Sequence, residues 1–192
     1  MPEQTLQRLL EGNRRFVESK STLDESEMRR IEVSKGQNPF AMILGCVDAR
    51  VPPELIFDQG LGELFVIRTA GEVLDHAVLG SLEFGVAELH IPLIMVLGHK
   101  DCGAVKEASK ILRHNAKAVA DIQFLVKKLA PVIEMTDDDE NHLNRAIQTQ
   151  IKNTVEKLKH TPILKNAIKH NALKIAGGCY DLHTGVVDVI IE

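Results

Sequence analysis

Two short polar motifs in this sequence contain the residue types that bind a soft metal ion. The first motif contains Cys46, and the second contains His99 and Cys102. Two thiolates and one imidazole form a ligand set that suits zinc. A structural zinc site would need a fourth Cys or His ligand, and no further candidate has suitable spacing. Three protein ligands leave the fourth tetrahedral position for water, so the sequence predicts one catalytic zinc ion per chain.

Asp48 and Arg50 follow the first candidate ligand at steps of two residues. Because side chains alternate along an extended chain, we expect residues 46, 48 and 50 on the same side. A carboxylate there can accept a hydrogen bond from zinc-bound hydroxide or can itself take the fourth position. A guanidinium can hold that carboxylate in a bidentate pair. We therefore predict Asp48 and Arg50 as the catalytic pair, with Asp48 as a conditional fourth ligand.

Both motifs come directly after short apolar runs that are typical of strands buried on two faces. Residues 40–47 and 91–98 form these runs, and residues 64–68 form another between them. Ligands in open α/β sheets collect outside the carboxyl ends of strands. If the first and third strands are neighbours, their ends bring the three candidate ligands together.

The remaining periodicity predicts an α/β fold with a mostly parallel central sheet flanked by helices. We interpret residues 1–192 as a single domain, with an N-terminal helical arm over 1–38 and an α/β core over 39–192. The arm contains an amphipathic helix at 5–19 and a polar link at 20–38. Two longer helices are predicted at about 116–130 and 138–160, and Thr136 with Asp139 fits a capping box for the second. Two strands are predicted at 173–180 and 186–191, and they form an antiparallel edge of the sheet.

Composition excludes several classes of protein. The chain has 192 residues with 27 acidic and 23 basic side chains, a net charge of -4, so we expect no nucleic-acid partner. No apolar run approaches the roughly 18 residues that a membrane span requires. Three cysteines are too few for a disulfide scaffold, and the amphipathic N-terminus lacks a signal core. These features favour a cytoplasmic protein.

Five stretches of the sequence match the motifs of a known family: Cys46–Val51, Gly62–Gly71, Gly98–Gly103, Asn13–Phe16 and Tyr180–Gly185. Through them the chain resembles the β-class carbonic anhydrases over nearly its whole length. The resemblance implies a zinc enzyme that reversibly hydrates carbon dioxide to bicarbonate and a proton. It implies the ligands and the catalytic pair named above. It also implies a homodimer or a dimer of dimers, with the N-terminal helix on the partner.

The same resemblance implies five substrate-binding residues in a pocket at the dimer interface. Gln37 occupies the place of a glutamine that contacts substrate, and Phe65 matches an apolar wall position. Ala70 and Phe84 match wall positions that are often valine and tyrosine in the family. Gly103, at the end of the second motif, completes this set.

Some bacterial members of the family are regulated by bicarbonate at a site built from Trp, Arg and Tyr. Arg68 and Tyr180 match two of these positions, whereas Ile43 occupies the place of the tryptophan. The resemblance therefore implies that this regulatory site is lost or weakened.

Other functions compete with this interpretation. The same ligands would serve a hydrolase of carbonyl sulfide or carbon disulfide, because these substrates are also linear and electrophilic at carbon. A catalytically silent zinc or bicarbonate binder is a second alternative. A nucleophilic Cys46 in a phosphatase-type loop would need an arginine six residues later, where this chain has Pro52.

Overall fold

The centre of the molecule is a five-stranded sheet. The computed structural model describes residues 1–24, 26–136 and 141–192. The sheet has the order β2-β1-β3-β4-β5; the first four strands are parallel, and β5 is antiparallel to β4. The predicted fold class and antiparallel C-terminal edge are thereby confirmed. The strands are β1 (Ala41–Cys46), β2 (Leu64–Thr69), β3 (Leu93–His99), β4 (Lys174–Tyr180) and β5 (Val187–Ile191).

Helices cover both faces of the sheet, which explains the continuous apolar runs of its central strands. Every residue of β1 and β3 is buried. Met42 and Leu44 of β1 join one core cluster, and Ile43 between them joins the other. The helices are α1 (Pro2–Val17), α2 (Glu27–Val33), α3 (Pro53–Ile56), α4 (His76–Ala87), α5 (Gly103–Arg113), α6 (Ile122–Glu134), α7 (His142–His160) and α8 (Pro162–Lys169), with a 3-10 turn at Ala70–Glu72.

The helices differ from the sequence prediction in three places. The segment predicted as a polar link contains α2, whose first turn is capped because Ser26 accepts a hydrogen bond from the Arg29 N–H. Helix α6 begins six residues later than predicted, and α8 was not predicted. Asp139 of the predicted capping box lies outside the described residues, whereas the hydroxyl of Thr136 donates to the carbonyl oxygen of Ile133 at 2.8 Å. Within the described parts of the chain, no helix is long and apolar enough to cross a membrane.

Helix α1 packs on the core of its own chain. Its buried Leu6 and Leu9 join the cluster that includes α3 and the second face of the sheet. Asn13 is buried beside them, and its Nδ2 donates to the carbonyl oxygens of Ile56 and Gly185 at 3.0 and 2.9 Å. These contacts hold the predicted arm against the sheet.

Candidate metal centre

The three candidate ligands come together at the carboxyl edge of the sheet. Cys46 ends β1, His99 ends the neighbouring β3, and Cys102 is the residue before α5. Their ligand atoms all lie within 4.8 Å of one another, and the two sulfur atoms are 4.0 Å apart. All three residues are buried. Two parallel strands that end at the same edge therefore produce the cluster that residue type alone predicted.

The ring of His99 is oriented for metal binding by its own backbone neighbour. Its Nδ1 lies 2.8 Å from the carbonyl oxygen of Lys100, which can only accept, so Nδ1 carries the proton. Nε2 is fully buried, and it has no hydrogen-bond partner among the residues that the structure describes. A buried nitrogen beside two sulfur atoms fits a zinc ligand, since a metal ion satisfies a buried polar atom that makes no hydrogen bond.

The two thiols differ in acidity. The hydrogen bond from Cys102 outweighs the opposing effect of burial and lowers the pKa of Cys46 to about 4. The pKa of Cys102 is raised, because this thiol holds the shared proton and is also buried near the charge of Glu72. Cys46 is therefore a thiolate at neutral pH, which is the form that binds a metal ion.

Asp48 and Arg50 stand beside the cluster as an ion pair. The guanidinium of Arg50 donates from Nε to Oδ1 at 2.9 Å and from Nη2 to Oδ2 at 2.8 Å of Asp48. Oδ2 lies 3.9 Å from Nε2 of His99. These hydrogen bonds hold the pKa of Asp48 well below its usual range. Because β1 ends at Cys46, a turn rather than extended alternation places Asp48 here; its carbonyl oxygen accepts the Val51 N–H.

Arg68 supports the loop that contains this pair. Its Nε donates to the carbonyl oxygen of Cys46 at 2.7 Å, and its Nη2 donates to that of Asp48 at 2.6 Å. One guanidinium thus bridges the backbone of a candidate ligand and the backbone of the candidate catalytic carboxylate. The family resemblance associates Arg68 with a regulatory site and did not predict these contacts.

The turn Ala70–Glu72 contributes two further residues that the sequence analysis did not assign to the site. The backbone of Gly71 helps to lower the pKa of Cys46, and Gly71 adopts a φ of 68°, which favours glycine. Glu72 follows with a φ of 51° and is 2 % exposed. Burial and the charge of Cys46 raise the pKa of Glu72 well above its usual range. The signal for Glu72 that the sequence offered was a charged residue that directly follows a glycine and stands among apolar residues.

Two of the five predicted substrate residues lie beside the cluster. Ala70 directly follows Thr69, the residue that pairs with Cys46 across β1 and β2. Gly103 directly follows Cys102 and is exposed, and a Cβ on it would meet no atom within 4 Å. The open space at Gly103 leaves room for a small molecule next to a candidate ligand.

The other three predicted substrate residues lie away from the cluster of their own chain. Phe65 is four residues before Thr69, the register partner of Cys46, which corresponds to roughly 13 Å along β2. The ring of Phe84 lies 6.5 Å from that of Phe65. Gln37 is exposed and precedes the amino end of β1. These three residues therefore lie toward the amino ends of the strands, on the far side of the sheet from the cluster at the carboxyl ends.

Comparison with known proteins identifies similar chains. The family model described as Carbonic anhydrase matches residues 41–187. Carbonic anhydrase 2 of Mycobacterium tuberculosis is 39 % identical over 180 residues, which cover 92 % of this chain and 87 % of that protein. The solved structure of the β-carbonic anhydrase CcaA is 25 % identical, with a TM-score of 0.75 over 97 % of this chain and 99 % of that one.

A second solved structure resembles this chain in fold. One of two tetrameric β-carbonic anhydrases from Sordaria macrospora is 22 % identical, with a TM-score of 0.76 over 84 % of this chain and 85 % of that one. None of these relatives supports the sulfur-substrate hydrolase or the silent binder.

Proposed function

This chain belongs to the β-class carbonic anhydrases, and from that premise we propose that it hydrates carbon dioxide reversibly at a zinc ion. The observation that carries the proposal is the buried group of Cys46, His99 and Cys102, with an unpartnered Nε2 among the described residues. Carbonic anhydrase is the activity of the family, and the donor set fits zinc. The products are bicarbonate and a proton.

The three residues would present their ligand atoms to the zinc ion in different ways. The hydrogen bond from Cys102 keeps Cys46 a thiolate, and Cys102 would lose its own proton on becoming a ligand. His99 presents Nε2 because its other nitrogen donates to a backbone oxygen. When bound, zinc lowers the pKa of water toward neutrality and supplies a hydroxide nucleophile.

Asp48 orients the nucleophile in this proposal. Its carboxylate stays ionised because Arg50 donates two hydrogen bonds to it, and an ionised carboxylate only accepts. A hydrogen bond from the nucleophile to Asp48 would aim the remaining lone pair at the carbon atom of the substrate. The same carboxylate, released from Arg50, is the conditional fourth ligand.

We also propose that the substrate pocket is completed by a second copy of the chain in a homodimer. Gln37, Phe65 and Phe84 lie too far from their own metal centre to line its pocket. Among the described strands, β2 has a neighbour on one side only, and Phe84 beside it is 47 % exposed. A partner that covers this edge would bring these side chains to the cluster of the other subunit.

Stopped-flow measurement of carbon dioxide hydration against pH tests the proposal, with zinc content assayed on the same protein. We expect one zinc ion per chain and a turnover that rises from neutral to mildly alkaline pH. One zinc ion per chain with no hydration at any pH would overturn the carbonic anhydrase assignment. Turnover of carbonyl sulfide or carbon disulfide by the same sample would then identify the alternative enzyme.

A further inference from the structure

A cavity of about 380 Å³ lies between α4, α6 and α7. This volume is within the range of small-molecule sites. Leu79 and Phe124 contribute apolar walls, and the polar side chains of Gln150 and Thr154 form a buried part of the lining. An apolar body with a polar head would satisfy both kinds of surface.

The charges around this cavity favour an anion. Lys128 and Lys157 both line it, and neither ammonium has a carboxylate partner in the parts of the chain that the structure describes. Lys128 lies 5.3 Å from the centre of the Phe124 ring. The carboxylate of Asp75 also lines the cavity, but its Oδ1 accepts the Val78 N–H at the start of α4 and is stabilised by that helix end. Among the described residues, the lining therefore contains two ammonium groups without a carboxylate partner and one carboxylate that already accepts a hydrogen bond.

The cavity is connected to the metal centre by one buried side chain. Gln150 is 5 % exposed, and its Nε2 donates to the carbonyl oxygen of Gly71 at 2.8 Å. The same Gly71 lies in the 3-10 turn that follows β2, whose last residue, Thr69, pairs with Cys46. A ligand that shifts Gln150 would therefore shift the turn beside a candidate zinc ligand.

We propose that this cavity is an effector site for a small organic anion, namely a carboxylate or phosphate monoester with an apolar body. Its occupancy alters turnover at the metal centre through Gln150 and Gly71. The binding claim follows from the cavity itself, whereas the effect on turnover rests on the proposed function. The two lysines hold the anionic head, and the apolar walls select against inorganic ions.

Direct binding to the zinc-loaded protein is the first test. The probes are benzoate, phenyl phosphate and inorganic phosphate, measured by titration calorimetry. The test variant is Lys128→Glu with Lys157→Glu, and its matched control is Lys127→Glu with Lys152→Glu, exposed lysines of the same helices that do not line the cavity. We expect the organic anions to bind wild type and control, and the test variant to lose at least tenfold in affinity.

The second test measures whether binding in the cavity affects Gly71, which lies beside the metal centre. Nuclear magnetic resonance of the Gly71 amide reports the link without any assay of activity. We expect phenyl phosphate to shift this resonance in wild type and control but not in the test variant, and the rate of carbon dioxide hydration to change in parallel.

Three outcomes would overturn the inference. Wild type that binds neither organic probe has no such site. If the hydration rate or the Gly71 resonance of the test variant still responds to the anions, the anions act at the metal centre instead. Binding without any change at Gly71 shows that the cavity is not an effector site. A chain that hydrates no carbon dioxide refutes the proposed function, while calorimetry and the Gly71 resonance still decide this inference.

Discussion

Single hydrogen bonds select the protonation states on which the metal centre depends. The carbonyl oxygen of Lys100 places the proton of His99 on Nδ1 and leaves Nε2 for the metal. The hydrogen bond from Cys102 keeps Cys46 a thiolate. Arg50 keeps Asp48 ionised. Substitutions at these residues therefore separate loss of metal from loss of orientation.

The candidate ligands give the first prediction. His99→Ala or Cys102→Ala removes one of three donors, and we expect zinc affinity to fall by more than about 100-fold, since even neighbours of ligands cost about 10- to 100-fold. Hydration activity falls with it. The matched control is Cys179→Ala, because burial in β4 raises the pKa of this thiol to about 11 and it lies outside the cluster. Zinc content by atomic absorption checks the result; full activity of a zinc-free ligand variant would contradict it.

The carboxylate beside the cluster gives the second prediction. Asp48→Asn keeps the size of the side chain but removes its charge, so we expect zinc content to stay near wild type. Turnover should fall by about 10- to 100-fold, the usual cost of losing a partner that orients a metal site. Stopped-flow rates on samples of equal zinc content make the comparison. An unchanged rate would remove Asp48 from the mechanism.

At the scale of elements, close approach of backbone to backbone fixes how α1 lies on the core. Gly12 of α1 faces the carbonyl oxygen of Phe57, and a Cβ on this glycine would come within 1.8 Å of it. No side-chain rotation can relieve such a contact, because the obstructing atom belongs to the backbone. The side chain of Asp58, the next residue, then ties the end of α1 and the following segment to the same place.

Gly12→Ala therefore reverses the usual effect of alanine in a helix. Propensity alone would stabilise the protein by about 1 kcal/mol, whereas the contact with the Phe57 carbonyl forces α1 outward at a cost of about 1–3 kcal/mol. We expect net destabilisation in chemical denaturation. Gly80→Ala in α4 is the control, because a Cβ there meets no atom within 4 Å, and it should stabilise. Equal stabilisation by both variants would refute the proposed packing of α1.

The stability contributed by Asp58 depends on pH. Burial opposes ionisation, but hydrogen bonds from Ser21, Arg15 and Thr22 outweigh it and lower the pKa of Asp58 below its ordinary value of 3.8. The contribution is therefore complete well above pH 3.8 and is lost as pH falls through the lowered folded value. Asp58→Asn should cost about 1–3 kcal/mol at neutral pH, and the deficit should shrink in acid. Urea titrations at several pH values measure it; a deficit independent of pH would contradict the assignment.

At the scale of the whole molecule, the parallel sheet separates the two groups of functional residues. The candidate ligands lie at the carboxyl ends of its strands, whereas Phe65 and Phe84 lie toward the amino ends. The outer side of β2 pairs with no other described strand. A second copy at this edge would both protect the strand and complete the pocket.

Phe84→Glu tests that assembly. A charge on a side chain that is 47 % exposed costs little in the free chain, but it cannot be buried unpaired in an interface. We expect the variant to become monomeric in light scattering, to keep its zinc and to lose turnover. Val119→Glu is the control, since Val119 is 76 % exposed elsewhere on the surface. A dimeric and fully active Phe84→Glu variant would rule out this edge as the interface.

Local sequence patterns predicted the five strands and the candidate ligand set, but they missed α2 and α8. Apolar runs of strand length lie at β1 and β3 because a strand between two layers of helices must be apolar on both faces. Two thiols and an imidazole that follow these runs predicted the ligand set, and parallel strands end at one edge, so the cluster followed. These inferences needed only local patterns and one rule of topology.

Which distant groups meet depends on the packing of the whole chain. Asp48 reaches the cluster by a turn, Glu72 is buried behind it, and Gln150 of α7 contacts Gly71. The direction of β2 separates Phe65 from the candidate metal ligands of its own chain. Local periodicity identifies the buried face of an element, but register, strand direction and helix packing determine what that face touches. Those contacts join residues far apart in sequence, and no local pattern encodes them.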